Sequence, residues 1–205
     1  RQDGGKRDIY IMREAEAYLI RAEARFWQGN LQGAADDINV IRERANAKYL
    51  YTVADIQEDG IGAILDERCR EFYGEEYRHD ELVRISVILA KTGQPCYNGK
   101  SYSWDGKDME KSLSANNFYY DRQMERNNFF RESVNWSTYP TTRYTIDPKH
   151  IFWPVYEPYI IGNVENILNQ TTGYDGSENN VEPLVHVVQP PGLPNIDPMV
   201  AIGER

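Results

Sequence analysis

Cysteine is almost absent: Cys69 and Cys96 are the whole complement, too few for a disulfide scaffold and badly spaced for a CxxC metal or redox motif. Free, buried thiols are the expected state, in preference to a bond between the two. Histidine is as scarce, and His79, His150 and His186 stand far apart, outside any HExxH or Cys/His cluster, so neither a metal nor a cofactor is expected. GxSxG and the phosphate-cradling GxxxxGK are missing as well. Basic residues are outnumbered, 23 to 32, for a net charge of −9, and no basic stripe exists to track a nucleic-acid backbone, which excludes that class of partner. No apolar run approaches the roughly 18 residues of a transmembrane helix, and neither a signal peptide nor a lipid-attachment cysteine is present. The opening RQDGGKRD runs straight into helical sequence, as expected of a fragment of a longer chain.

What is present is a chain of 205 residues, 40% hydrophobic and 27% charged, enough for one domain with a true core. Its clearest stretch is Ala15 to Lys48. Met12, Ala15, Leu19, Ala22 and Phe26 step by three and four, which sets them on one helical face. The Gly29-Asn30 pair ends that helix, predicted from Asp8 to about Gln28. Leu31, Ala34, Ala35, Ile38, Ile41 and Ala45 repeat the stepping, so a second helix to about Ala47 folds back on the first. Tyr18, Ala22, Gly29, Ala34 and Ile38 resemble a tetratricopeptide repeat in part, with Arg21 and Arg25 where Leu and Tyr are usual.

Thr52 with Asp55 predicts a capped start to a third helix, whose inward face is Ile56, Ile61, Ile64, Leu65, Arg68 and Phe72, with Gly60 and Gly62 weakening its first turns. Gly74 interrupts the helical run. Leu82, Val83, Ile85, Val87, Ile88 and Leu89 form the apolar side of the next helix, which Gly93 and Pro95 end. Glu67, Arg68, Arg70, Glu71, Glu75, Arg78, Glu81 and Arg84 are opposite charges at helical spacing. One reading pairs Glu67 with Glu71 as acid and base of a glycosidase. The preferred one makes the set an ion-pair network between helices.

Residues 96–147 change character to Asn, Tyr, Ser and Gly, and eleven of the 25 aromatics lie between Tyr97 and Tyr144. Asn98-Gly99 and Asp105-Gly106 predict a hairpin or long loop, NNFYYDRQMERNNFFRE one short helix with Phe118, Met124 and Phe129 inward, and VNWSTYPTTRYTI an extended segment. Trp and Tyr rings beside amides and charges suit a carbohydrate platform, because ring faces pack on the apolar C–H face of a pyranose while polar groups take its hydroxyls. The candidate ligand-binding residues are Tyr102, Trp104, Asp105, Trp136, Tyr139 and Arg143. For Phe118, Phe129 and Phe130, core packing is the better reading; for Trp104, Trp136 and Tyr139 both readings stand. Pro154 and Pro158 forbid a regular helix before Tyr159, after which Ile160, Ile161, Val164, Ile167 and Leu168 predict a brief one. Residues 175–205 hold five acids, one base and five prolines, and read as an extended acidic tail. Asn135-Trp136-Ser137 and Asn169-Gln170-Thr171 match the glycosylation sequon, a pattern short enough to arise by chance.

Three blocks, in order, resemble the C-terminal half of the SusD/RagB family of surface nutrient-binding lipoproteins. The first is REAEAYLIRAEARFWQGNLQGAADDINVIRERA, from Arg13. The second is ILDERCREFYGEEYRHDELVR, from Ile64, with Glu81 where Asp is usual. The third is WPVYEPYIIGNVENILNQTTGY, from Trp153, with Thr171 where Asn is commoner. The resemblance implies a mainly α fold of tetratricopeptide-like hairpins with long irregular loops and little strand. It also implies a surface-exposed outer-membrane protein, held only by a lipid anchor that this sequence lacks, which captures oligosaccharide or a similar nutrient without catalysis and works with a SusC-like TonB-dependent transporter. The expected organisation is a family region over 1–174, comprising a helical scaffold (8–90), a loop-rich insertion (96–147) and a closing segment (148–174), followed by the 175–205 tail. The rival expectation is a helical module that docks protein partners and binds no small ligand.

Overall fold

In a computed structural model, residues 12–75, 78–125, 146–163 and 167–181 are described. The chain divides into two units, Arg1–Pro154 with Thr171–Tyr174, and Val155–Gln170 with Asp175–Arg205. It is mainly α, and no strand occurs among the described residues.

The first unit is built on the predicted hairpin, α1 (Glu14–Trp27) against α2 (Leu31–Arg44). The matched stripes are buried as expected: Ala15, Leu19 and Ala22 from α1 meet Ala34, Ala35, Ile38 and Ile41 from α2, all at most 6% exposed. Complete burial of a Leu or Ile stabilises by about 2 kcal/mol each, and the alanines let the axes approach closely. Gly29 turns the chain at φ +79°, and the Asn30 side chain caps α2 by accepting from the Gly33 amide at 2.9 Å. Both helices are shorter than predicted. Arg13, not Asp8, precedes the first turn, because its backbone is extended and its guanidinium reaches away to Glu71 and Glu75; Met12 is therefore 63% exposed instead of belonging to the stripe. At the other end Asn46 takes a left-handed φ of +52° and the Ala47 amide bonds back to Arg42 O, so α2 closes at Arg44 and Ala45 falls outside it.

The single third helix expected from the sequence is two. α3 (Val53–Asp59) starts with the predicted capping box of Thr52 and Asp55. It breaks at Gly60, φ +53°, and α4 (Ile61–Glu71) begins at the next residue. The break has a packing cause: a Cβ on Gly60 would stand 3.0 Å from the Tyr97 ring, and one on Gly62 would stand 2.5 Å from the Arg122 guanidinium. The two glycines, read as weak helix formers, are seats for side chains arriving from the following segment. After Gly74 (φ +80°), α5 (Arg78–Thr92) buries Leu82, Ile85, Leu89 and Ala90 on the same core, and Val83, Val87 and Ile88 are partly buried against it.

Residues 93–125 are less irregular than predicted. α6 (Met109–Ala115) starts inside the stretch read as loop, with Asp108 capping the Lys111 amide at 2.9 Å. With Leu113 its only buried residue, α6 has no apolar stripe to betray it. α7 (Phe118–Glu125) is the expected short helix, with Phe118 fully buried; Phe129 and Phe130 lie outside the described residues. Asn117, 1% exposed, caps α7 by accepting from the Tyr120 amide and donates to Leu113 O and Pro148 O. A 3₁₀ turn, Pro148–Ile151, follows, with Ile151 in the core. Cys96 is buried and Cys69 exposed, and both are free thiols, so burial holds for one of the pair only.

In the second unit α8 (Glu157–Gly162) begins two residues before Tyr159, since Pro158 is tolerated in the first turn, where no helical amide bond is required. It ends at Gly162, before Ile167 and Leu168, and buries nothing: Ile161 is 70% and Ile167 75% exposed. Amide side chains organise this unit. Gln170 accepts from the Val155 amide at 2.7 Å and donates to Val155 O at 3.0 Å. Asn180 does the same for the backbone of Gln170, and Asn169 for that of Val181.

Candidate functional site

The charged residues singled out between Glu67 and Arg84 form the ion-pair network expected of them. Glu67, 5% exposed, accepts from Arg42 at 2.8 Å and Arg70 at 2.7 Å; Glu71 accepts from Arg13 and Arg44, each at 2.7 Å. Arg84 holds Glu23 and Glu81, each at 2.6 Å, and Arg78 pairs with Asp66 and donates to Leu65 O. Burial alone would lift the Glu71 carboxyl, but the two arginines outweigh it and hold it below its ordinary value. Hydrogen bonding to Glu23, against burial and assisted by Glu81, pushes the Arg84 guanidinium up. Two carboxylates each clamped by two arginines are poorly suited to donate or take protons. The network ties α1, α2, α4 and α5 together.

The loop joining α5 to α6 carries the sequence-predicted ligand residues that can be placed. It starts as a tight turn in which the Cys96 amide donates to Lys100 O and the Gly99 amide to Cys96 O. Tyr102 then plunges inward. It is 1% exposed, its hydroxyl donates to Asp121 at 2.7 Å and accepts from Asn98 at 2.9 Å, and its ring meets Phe118 edge to face. Burial, with a smaller contribution from Asp121, raises its phenol pKa. The structure thus places Tyr102, expected from the sequence as a ligand residue, with its ring enclosed in the framework. Trp104 behaves differently. It is 38% exposed, with Lys91 Nζ on α5 5.6 Å from its ring centroid. Asp105 is exposed but turned to its own backbone, its Oδ1 accepting the amides of Lys107 and Asp108 at 2.8 and 2.9 Å, which lowers its pKa. Its role here is to fix the turn after Trp104. Trp136, Tyr139 and Arg143 lie outside the described residues.

Sequence reasoning missed Lys91, which no spacing links to Trp104. It also missed Trp153, 76% exposed, with His79 edge-on at 5.8 Å. Its main chain is held by Thr171, whose hydroxyl donates to Trp153 O at 2.7 Å. Of the two sequons, Asn169 has its amide committed to Val181. A cavity of about 230 Å³ at the α4–α5 turn is lined by Arg68, Cys69, Phe72, Tyr73, Arg78 and Glu81, none of them a predicted ligand residue. No group of three His, Cys, Asp or Glu among the described residues could hold a metal ion.

Fold and site together define a helical scaffold whose ion pairs hold the frame and whose aromatic chemistry is presented from a pinned loop. The chain belongs to the SusD family, whose model matches residues 1–174. It is similar to the starch-binding protein SusD of Bacteroides thetaiotaomicron, at 36% identity over 115 residues, which is 56% of this chain and 18% of that protein. The matched stretch thus spans under a fifth of the length of this relative. No solved structure matches the chain significantly.

Proposed function

We propose that this chain is part of an outer-membrane surface lipoprotein that binds oligosaccharide without cleaving it and passes it to a SusC-like TonB-dependent transporter. Membership of the SusD family, reinforced by similarity to a starch-binding member, carries the reading. Two features of the site support it. Trp104 offers an exposed ring beside a lysine, a surface on which a sugar's C–H face can stack while the ammonium takes a hydroxyl. Glu67 and Glu71, the carboxylates that the glycosidase reading pairs as acid and base, are locked in ion pairs. Trp136, Tyr139 and Arg143 are proposed to contribute with Trp104.

Calorimetric titration of the full-length protein with starch-derived oligosaccharides, then with a wider glycan panel, tests the proposal. Binding that weakens in Trp104→Ala and Trp136→Ala, with the transporter still co-purifying and uptake lost, is the expected result. Binding of peptide and of no glycan would overturn the carbohydrate assignment. Uptake unchanged in both variants would favour a protein-docking module instead.

A further inference from the structure

One guanidinium joins four parts of the first unit. Arg122, on α7, has a side chain 1% exposed and forks onto Asp59 at the end of α3, with Nη1 and Nη2 at 2.7 and 2.8 Å from the two carboxylate oxygens. It lies 3.1 Å from Asp66 on α4 and 3.1 Å from Glu125 one turn along α7. Nη1 also donates to the Tyr97 hydroxyl, which itself donates to Glu125. Burial works against this charge, yet the hydrogen bonds to Asp59 and the fields of Asp66 and the others leave the guanidinium pKa raised. A planar fork can serve this many acceptors at once where an ammonium cannot.

The space for it is built into the break between α3 and α4. A Cβ on Gly62 would lie 2.5 Å from Cζ and from both terminal nitrogens of Arg122, and Gly60 leaves room for the Tyr97 ring. One residue before Arg122, Asp121 accepts from Lys100 Nζ and the Tyr102 hydroxyl. Three α7 side chains, Asp121, Arg122 and Glu125, therefore fix residues 97, 100 and 102 of the loop, and Trp104 follows two residues on. Asp105 fixes the chain on the far side through the amides of Lys107 and Asp108.

We propose that Arg122 is a positioning residue for ligand capture: it locks α7 onto the α3–α4 break, and α7 in turn holds the loop that sets the Trp104 ring beside Lys91. The ligand half of this inference rests on the glycan-binding reading above; the coupling between Arg122 and the loop does not. Without the guanidinium, Asp66 keeps Arg78, but the fork that draws Asp59 on α3 and Asp66 on α4 toward α7 is gone, which loosens α7 on its seat.

The test uses the full-length protein with Arg122→Met, Arg122→Lys and Gly62→Ala. Amide hydrogen exchange is followed in 97–104 and in 15–41, and a maltooligosaccharide is titrated calorimetrically. In Arg122→Met, exchange in 97–104 should quicken about tenfold or more while 15–41 stays unchanged, and affinity should fall about tenfold. Arg122→Lys should recover part of both, and Gly62→Ala, which displaces the guanidinium while keeping its charge, should move both in the direction of Arg122→Met. In a Trp104→Ala background, Arg122→Met should cost no further affinity. Unchanged exchange in 97–104, a rise shared equally with 15–41, or additive affinity losses would overturn the proposal. If the wild type binds no maltooligosaccharide or other glycan, the exchange measurement still decides the coupling, and the failure belongs to the functional reading.

Discussion

The α1–α2 hairpin and the segment from Tyr97 to Glu125 share one core, yet they are held by opposite means. In the hairpin seven small or aliphatic residues are buried in register, and the two carboxylates buried with them, Asp37 and Glu23, are neutralised from the rim by the partly exposed arginines Arg21, Arg25 and Arg84. In the segment, Tyr102, Leu113, Asn117, Phe118 and Arg122 are each at most 1% exposed, and three of those five are polar. Apolar burial is non-directional, so the hairpin is tolerant of detail and cares mainly about volume. A buried polar group must find its partner at the right place or cost about 1–3 kcal/mol, so the segment is specified by a few exact contacts. The first kind of region makes a durable frame. The second holds one geometry, which is what a binding loop requires.

The contrast can be broken from either side. Leu19→Ala should have the largest effect, lowering the unfolding free energy in urea by about 2–5 kcal/mol, because a fully enclosed leucine leaves a cavity between two helices. Asn117→Ala should cost less, about 1–3 kcal/mol, since it removes the α7 cap and strands Leu113 O and Pro148 O. Its signature should be local, with amide exchange quickening in 117–125 before 15–41 responds.

Titration should separate the regions with smaller effects. The Glu71 carboxyl is held below its ordinary 4.5, so its stabilisation of the scaffold is complete above that pH and is lost as pH falls through the depressed folded value. Tyr97 and Tyr102 are pushed, chiefly by burial, above their ordinary 10.0, so the neutral phenol is the folded form; their stabilisation is complete below pH 10.0 and is lost as pH rises beyond it. Exchange measured at both extremes should show acid loosening the contacts of α4 with α1 and α2, and base loosening 97–104. Glu71→Gln should blunt the acid response, and Tyr97→Phe the alkaline one. The smallest stability effect belongs to Trp104→Ala, within about 0.5 kcal/mol in the same denaturation assay, although oligosaccharide affinity should fall about tenfold.

The same contrast explains what could be read in advance. The hairpin was legible because burial repeats every three to four residues, and the capping box of Thr52 and Asp55 because its two ends lie three apart in sequence. The charges of 67–84 announce an ion-pair network, but the arginines that clamp Glu67 and Glu71 come partly from α2 and from Arg13 just before α1, and no local pattern names them. The polar segment is less legible, because its contacts are long-range. The burial of Tyr102 has no local sign, since nothing within ten residues suggests the Asp121 that draws its hydroxyl inward. Gly60 and Gly62 read as helix weaknesses because Tyr97 and Arg122, which need the room, arrive 37 and 60 residues later. Of the placed site candidates, Trp104 alone keeps an open ring.

The paired amides of the second unit carry a different kind of liability. Asn169, Gln170 and Asn180 each offer a donor and an acceptor to one residue's backbone, as a neighbouring β-strand would, and they do so with a register that cannot slip. What mechanical sliding cannot undo, slow chemistry can: hydrolysis of one such side chain to a carboxylate turns its donor into a second acceptor and sets a negative charge against the carbonyl it held. The unit thus has a chemical clock, wound by three nitrogen atoms, and its ageing should be visible as a one-charge shift in isoelectric focusing accompanied by faster exchange at Val155, Gln170 or Val181.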